Sequence, residues 1–201
     1  MTITYKVKNG IYVNMTNRCP CRCTFCLRFN APGVYGSDSL WLDREPTVEE
    51  VCRSLDGWNL AEYDEVVFCG YGEPTERLDD LLEVAKYVRS VSDIRIRINT
   101  NGLSDLIAGE PTAHKLAGLI DTVSVSLNTP NAEEYHAIVR PKFGEQSYEA
   151  MLRFTQDCTK YVPNVVMTVV DEPVTSKEAQ AQCQAICDRL GVKLRVRPFE
   201  S

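Results

Sequence analysis

Ile94-Arg-Ile-Arg-Ile-Asn-Thr-Asn-Gly102 alternates apolar and polar side chains and ends on Asn101-Gly102. A period of two reads as a strand, and Asn-Gly supplies the turn chemistry at its exit. Successive strand residues point to opposite faces, so Ile94, Ile96 and Ile98 share one face and Arg95, Arg97 and Asn99 the other. The same division recurs in Thr122-Val-Ser-Val-Ser-Leu-Asn128, where Val123, Val125 and Leu127 oppose Ser124, Ser126 and Asn128. It recurs again in Lys193-Leu-Arg-Val-Arg-Pro198, where Leu194 and Val196 oppose Arg195 and Arg197.

Working outward, helical patterns separate these strands. Tyr5 to Asn14 reads as a hairpin turning at Asn9-Gly10, and its second arm is the first main strand. After an irregular stretch from Leu27 to Pro46, Thr47-Val-Glu-Glu50 reads as a capping box that opens a helix. Glu65 to Gly70 is a short apolar strand, and Leu78 to Ser90 has the spacing of an amphipathic helix. A weak helical patch spans Pro111 to Leu119. Thr129 is the candidate cap of the next helix, with Pro130 at its first position. A helix from Ser147 to Lys160, a strand from Asn164 to Val170, a helix capped at Thr175-Ser-Lys-Glu178 and stopped by Gly191, and the last strand complete the chain.

Alternating β and α elements imply a parallel sheet. A closed eightfold barrel typically needs about 250 residues. Six units in 201 residues therefore predict an open, partial (βα)6 barrel of class α/β, preceded by an N-terminal β-hairpin. Helices must cover the apolar strand faces, so the polar faces turn inward and predict a wet, ligand-holding interior. On this argument Arg95, Arg97, Arg195 and Arg197 face the interior and call for an anionic ligand, unless internal acids pair with them.

The segment Cys19-Pro-Cys-Arg-Cys-Thr-Phe-Cys26 packs four of nine cysteines into one loop after the first main strand. Read as C-x3-C-x2-C, Cys19, Cys23 and Cys26 give three thiolates, which leave one iron of a [4Fe–4S] cube open to a ligand. The rival readings are a zinc site that also uses Cys21, and inert buried thiols. Zinc usually takes two separated ligand pairs, and no second pair follows. Cys158, Cys183 and Cys187 fall within helices and read as small buried side chains. His114 and His136 have no metal or triad spacing. After the second strand, Cys69-Gly-Tyr-Gly-Glu-Pro74 offers two glycines for close backbone approach and a carboxylate that can accept from an ammonium.

The cysteine spacing resembles that of radical S-adenosylmethionine (radical SAM) enzymes. The resemblance implies that the open iron chelates the amino and carboxylate groups of SAM and that Phe25 packs near the cofactor. It implies further that Gly70, Tyr71, Gly72, Glu73 and Pro74 stand for the family's Gly-Gly-Glu-Pro motif, with Tyr71 in place of its second glycine. Thr100, Ser126 and Asn128 fall where the family contacts the carboxylate and ribose of SAM. The implied activity is reductive cleavage of SAM to a 5′-deoxyadenosyl radical that abstracts hydrogen from a substrate, with electrons from a flavodoxin- or ferredoxin-like donor.

Tyr12-Val-Asn-Met-Thr-Asn-Arg-Cys19, Cys26-Leu-Arg28, Leu40-Trp-Leu-Asp-Arg-Glu-Pro46, Gly72-Glu-Pro74 and Val125-Ser-Leu-Asn128 through Tyr148 together resemble the TatD-associated radical SAM proteins. That subgroup implies a single core domain over residues 1–201 and a link to a TatD-type nuclease, and it names no substrate. A small molecule in the interior, or a partner protein presented at the open side as in glycyl-radical activases, are both open. From another class, a non-catalytic zinc or Fe–S interaction module is also open.

Composition narrows the partners. A net charge of −6 and a pI near 5.1 argue against nonspecific binding to nucleic acid or anionic membrane. The N-terminal residues lack an apolar signal core, and no apolar run approaches the roughly 18 residues that a membrane span needs. A cytoplasmic protein with reduced thiols is expected.

Overall fold

The computed structural model describes residues 1–29 and 36–199. β1 (Thr4–Val7) and β2 (Gly10–Val13) pair antiparallel with Val7 opposite Gly10. The hairpin therefore turns at Lys8-Asn9, one residue earlier than the Asn9-Gly10 expected, and Lys8 takes the positive φ of 51°. The cause is the next strand: Gly10 is drawn into the sheet as the partner of Glu65.

From β2 onward every pairing is parallel. β3 (Glu65–Phe68), β4 (Arg95–Thr100), β5 (Thr122–Ser126), β6 (Asn164–Val170) and β7 (Lys193–Arg197) follow in chain order, with β1 and β7 at the two edges. Six parallel strands and an added antiparallel one make the open, partial barrel that the alternation predicts.

The helices form where apolar spacing and caps coincide. α1 (Val48–Asp56) has the full capping box: Glu50 N–H donates to Thr47 Oγ1 at 3.3 Å, and Thr47 N–H donates to Glu50 Oε2 at 2.9 Å. α2 (Leu78–Val91) buries Leu81, Leu82, Val84, Ala85 and Val88 against the sheet. Each large apolar side chain so buried contributes about 1.5–3 kcal/mol. The weak patch at 111–119 holds only a 3-10 turn, Ala113–Leu116; α3 (Ser104–Ala108), ended by Gly109 in the left-handed region, comes before it and was not expected.

α4 (Ala132–Val139) starts later than expected. Its cap is Asn131, which accepts from Glu134 N–H at 2.9 Å. Thr129 cannot cap, because its N–H donates to Leu127 O and its hydroxyl to Asn131 O. α5 spans Gln146–Cys158. α6 (Lys177–Leu190) is capped by Ser176, since the Thr175 hydroxyl donates to Asn128 O at 3.0 Å.

Ile96, Ile98, Val123, Val125, Leu127, Met167 and Val169 face the helices and are buried. Cys158, Cys183 and Cys187 lie in the same core. On β7, Leu194 packs against this core, but Val196 stays 42% exposed because the free edge has no helix beyond it.

The expected irregular stretch, of which residues 30–35 lie outside the described residues, folds back along the exit of β2. Asn14 Nδ2 donates to Leu40 O at 2.7 Å, and Asn17 exchanges two hydrogen bonds with the backbone of Leu42. Glu45 accepts from Thr16 Oγ1 at 2.6 Å and Arg18 Nε at 2.7 Å. Half-buried Arg77 donates to Met15 O and Pro46 O, tying α2 to the same rim.

Candidate functional site

A cavity of about 760 Å³ runs inside the curved sheet, from the cysteine loop at the carboxyl ends of the strands to the hairpin turn at their amino ends. Cys19, Cys23, Cys26 and Phe25 line it, as do Gly70, Tyr71, Gly72 and Glu73, and Thr100, Ser126 and Asn128. Three segments far apart in sequence thus meet at the end of the sheet where parallel folds hold ligands. Pro74 does not line the cavity. It opens the 3-10 turn Pro74–Arg77 that Glu73 caps.

The cysteine loop is held by backbone rather than by its thiols. Arg22 N–H and Thr24 N–H donate to Val139 O and Ile138 O at the end of α4, and Lys142 N–H donates to Pro20 O. Val139 is followed by Arg140 in the left-handed region, so the helix end is shaped to receive the loop. Asn101 Nδ2 points at sulfur, 3.6 Å from Cys21 Sγ and 4.0 Å from Cys19 Sγ. A hydrogen bond from Cys21 lowers the Cys19 thiol and raises that of Cys21. Burial pushes Cys23 up to about 12 and also raises Cys26.

This donor set suits a cube better than a single ion. Among the described residues no three His, Cys, Asp or Glu side chains converge on one ion's position, whereas a cube takes one thiolate per iron at separate corners. The wall also has buried polar atoms without partners, namely Asn128 Oδ1, Asn99 Oδ1 and the Tyr135 hydroxyl. Such atoms are rare in native proteins and call for a partner, whether water or a bound polar group. Asn128 adds backbone strain, with a φ of 64° that a non-glycine residue adopts at a cost.

Glu73 is buried and is no solvated loop residue. Its Oε1 accepts from Thr75 N–H, Thr75 Oγ1 and Thr100 Oγ1 at 3.1, 2.8 and 2.7 Å, and its Oε2 accepts from Asn101 N–H at 2.7 Å. Burial raises its carboxyl above the usual range despite these bonds. Thr100 is committed twice, since its hydroxyl also accepts from Gly102 N–H. The glycines expected to admit a ligand answer first to the protein. A Cβ on Gly72 would collide with the carbonyl oxygens of Thr16 and Arg18, and one on Gly70 with the Asn14 side chain. Tyr71 turns its ring edge-on to Trp41, 5.3 Å between centroids.

Three of the four arginines line the cavity and one does not. Arg95 stands at the amino end of β4, exposed, with its Nε 3.4 Å from Asp64 O. Alternation gave its face but not its exposure, since the first residue of β4 stays in solvent and does not line the cavity. Arg97 is buried and pairs with Glu65 at 2.6 Å and with the Tyr12 hydroxyl at 3.2 Å. Asn101, Tyr135, Tyr12 and Glu65 belong to the site without having been singled out. Asn101 alone had a local signal, its place in the strand-end Asn-Thr-Asn-Gly.

A family model described as the radical SAM superfamily matches residues 13–181. A probable GTP 3′,8-cyclase of Methanothermobacter thermautotrophicus is 30% identical over 137 residues, covering 68% of this chain and 41% of that protein. The chain thus spans under half the length of this curated relative. Streptococcus suis SuiB bound to precursor peptide SuiA superposes with a TM-score of 0.67 at 14% identity, covering 96% of this chain and 39% of that one. Native anSMEcpe with bound AdoMet superposes with a TM-score of 0.63 at 19% identity, covering 94% and 51%. The superpositions show the shared fold, and the family match, which takes in both the cysteine loop and the strand ends around the cavity, shows that this chain belongs to the radical SAM superfamily.

Proposed function

We propose that this chain, as one core unit over residues 1–201, is a radical SAM enzyme in which Cys19, Cys23 and Cys26 hold three irons of a [4Fe–4S] cluster and the cavity holds SAM beside the fourth. The observation that carries this reading is the meeting of the cysteine loop, the Gly70–Glu73 loop and the ends of β4 and β5 around one cavity with unsatisfied polar atoms. When bound and reduced, cluster and SAM together supply a 5′-deoxyadenosyl radical for hydrogen abstraction.

The chain's own residues bind and orient. Cys21 stays outside the ligand set and donates to Cys19. Asn101 directs an amide toward the sulfurs. The free lone pair of Glu73 Oε2 is the acceptor for the SAM ammonium, with the carboxylate fixed beforehand by its four donors. Asn128 Oδ1 and the Tyr135 hydroxyl offer further polar contacts, Ser126 lines the wall between them, and Phe25 supplies an apolar surface.

The combination of residues 12–19, 26–28, 40–46 and 72–74 with Val125 through Tyr148 supports placement beside the TatD-linked radical SAM proteins. The hydrogen bonds that join residues 14–18 to 40–45 give that pattern a physical basis. A flavodoxin- or ferredoxin-like donor and a cytoplasmic setting complete the reading. The GTP in the name of the relative is not carried over, because the chain spans 41% of that protein.

The test is spectroscopic. After anaerobic reconstitution and reduction, added SAM should change the electron paramagnetic resonance of the cluster, because one iron is open to it. A spectrum indifferent to saturating SAM would leave only an Fe–S protein.

A further inference from the structure

Below the cofactor region the cavity wall carries three guanidiniums, from Arg97 on β4 and from Arg195 and Arg197 on the edge strand β7. Their surroundings do not balance them. Glu65 pairs with Arg97 through Nη2, yet among the described residues the buried Nε atoms of Arg97 and Arg197 have no partner, and neither Arg195 nor Arg197 makes an ion pair. Arg195, exposed along the free edge, reaches only Ser124 Oγ, at 3.5 Å. Partial desolvation of its inner side, with the like charges of Arg97 and Arg197, lowers its pKa. The other acids on this wall are engaged elsewhere: Asp64 faces Asn9, and Glu73 is held by four donors.

This shortage is local, since the chain has 28 acidic residues against 22 basic ones. Two buried guanidinium N–H groups without acceptors among the described residues carry a desolvation penalty that is larger for a charged group, and a sequence rich in acids leaves them unmatched. Arginine's planar fork is suited to the two oxygens of a carboxylate or phosphate. The carboxylate of SAM is one candidate acceptor, but a single carboxylate cannot satisfy three guanidiniums. The cavity, near 760 Å³, lies high in the range of about 300–1,000 Å³ that a drug-sized ligand occupies, which leaves space for a second small molecule.

We propose that Arg97, Arg195 and Arg197 form an oxyanion subsite that binds a carboxylate or phosphate group of the substrate inside the open barrel. The assignment of that anion to a substrate rests on the radical SAM reading; the existence of the subsite does not. Arg97, braced by Glu65 and Tyr12, is the fixed member, and the two β7 arginines supply the unmatched charge.

The experiment is calorimetric titration of the reconstituted chain with phosphate and with succinate at constant ionic strength, in the wild type and in Arg195→Gln/Arg197→Gln, with SAM titrated in parallel. At least one probe should bind the wild type, and the double variant should lose at least about tenfold in its affinity, as expected for hydrogen bonds to a charged group. SAM affinity should stay within about twofold, because Arg195 and Arg197 are assigned to the substrate anion and not to the carboxylate of SAM. Phosphate binding without succinate binding points to a phosphorylated substrate, and the reverse to a carboxylate. The proposal is overturned if neither probe binds, if binding survives in the double variant, or if SAM affinity falls in step with the probe. A wild type that binds the probe but not SAM sustains the subsite and defeats the cofactor reading. If the double variant does not fold, Arg197→Lys keeps the charge and loses the fork; it should weaken the probe several-fold, and an unchanged affinity overturns the proposal.

Discussion

Two side chains of opposite charge, one buried and one half-buried, share one cavity and are treated in opposite ways. Glu73 sits where the β3 loop meets the end of β4, and four donors from Thr75, Thr100 and Asn101 fix both its oxygens. Arg197, across the cavity on the edge strand, has a buried Nε with no acceptor among the described residues. The first charge is part of the fold and is present before any ligand arrives. The second is a cost that the fold carries until an anion arrives. Stability measurements on the ligand-free chain should therefore separate the two, although both residues line the same space.

The largest effects should come from the residues that the cysteine loop and its neighbour cannot do without. Cys19→Ala, Cys23→Ala and Cys26→Ala should each abolish the intact cluster after reconstitution, while Cys21→Ala should keep most of its iron and sulfide. Equal loss in all four would return Cys21 to the ligand set. Gly72→Ala should lower the urea midpoint by an amount equivalent to about 3 kcal/mol or more, because its Cβ meets backbone carbonyls that cannot move aside.

The comparison itself is tested at the next level. Glu73→Gln turns an acceptor into a donor facing other donors and should cost about 1–3 kcal/mol, seen as a drop of roughly 2–4 °C in Tm per kcal/mol for a chain of this size. Arg197→Gln should leave Tm unchanged or raise it, since it removes an unmatched charge next to Arg195 and Arg97. Equal losses in both variants would mean that Arg197 is as structural as Glu73, and the contrast would fail.

The smallest effect lies on the surface, where charges are matched but solvated. Asp171 is held down to about 2 by its hydrogen bond from Lys177, then by Gln180. Its folded value lies below its ordinary 3.8, so its contribution is present above that value and lost as the pH falls toward about 2. Asp171→Asn should lower Tm by no more than about 2–4 °C at pH 7, and the difference from wild type should shrink below pH 3.8. A difference that grows on acidification would reverse the sign of this linkage.

Much of this molecule was legible locally. The alternation in residues 94–99 and 122–128 gave both the strands and the faces, because a period of two leaves no freedom about side-chain direction once helices cover one side. Alternation does not give depth. Arg95 and Arg97 share a face, yet of the two only Arg97 lines the cavity, while Arg95 is exposed at the first residue of β4. Caps were legible to within a residue or two. Thr129 and Thr175 were misjudged because their hydroxyls serve Asn131 and Asn128, contacts that exist only after folding. The role of Gly72 and two of the four donors of Glu73 were not legible, since they depend on residues 27–56 positions away. The cysteine spacing announced itself, but its attachment to the end of α4 did not.

The central claim is that this cavity serves SAM cleavage. It is tested most directly by reducing the reconstituted chain under anaerobic conditions, adding SAM and measuring 5′-deoxyadenosine by chromatography. The wild type should form 5′-deoxyadenosine in proportion to its cluster content, and Cys26→Ala should form none. A wild type with a full cluster and no 5′-deoxyadenosine above the Cys26→Ala background would contradict the account.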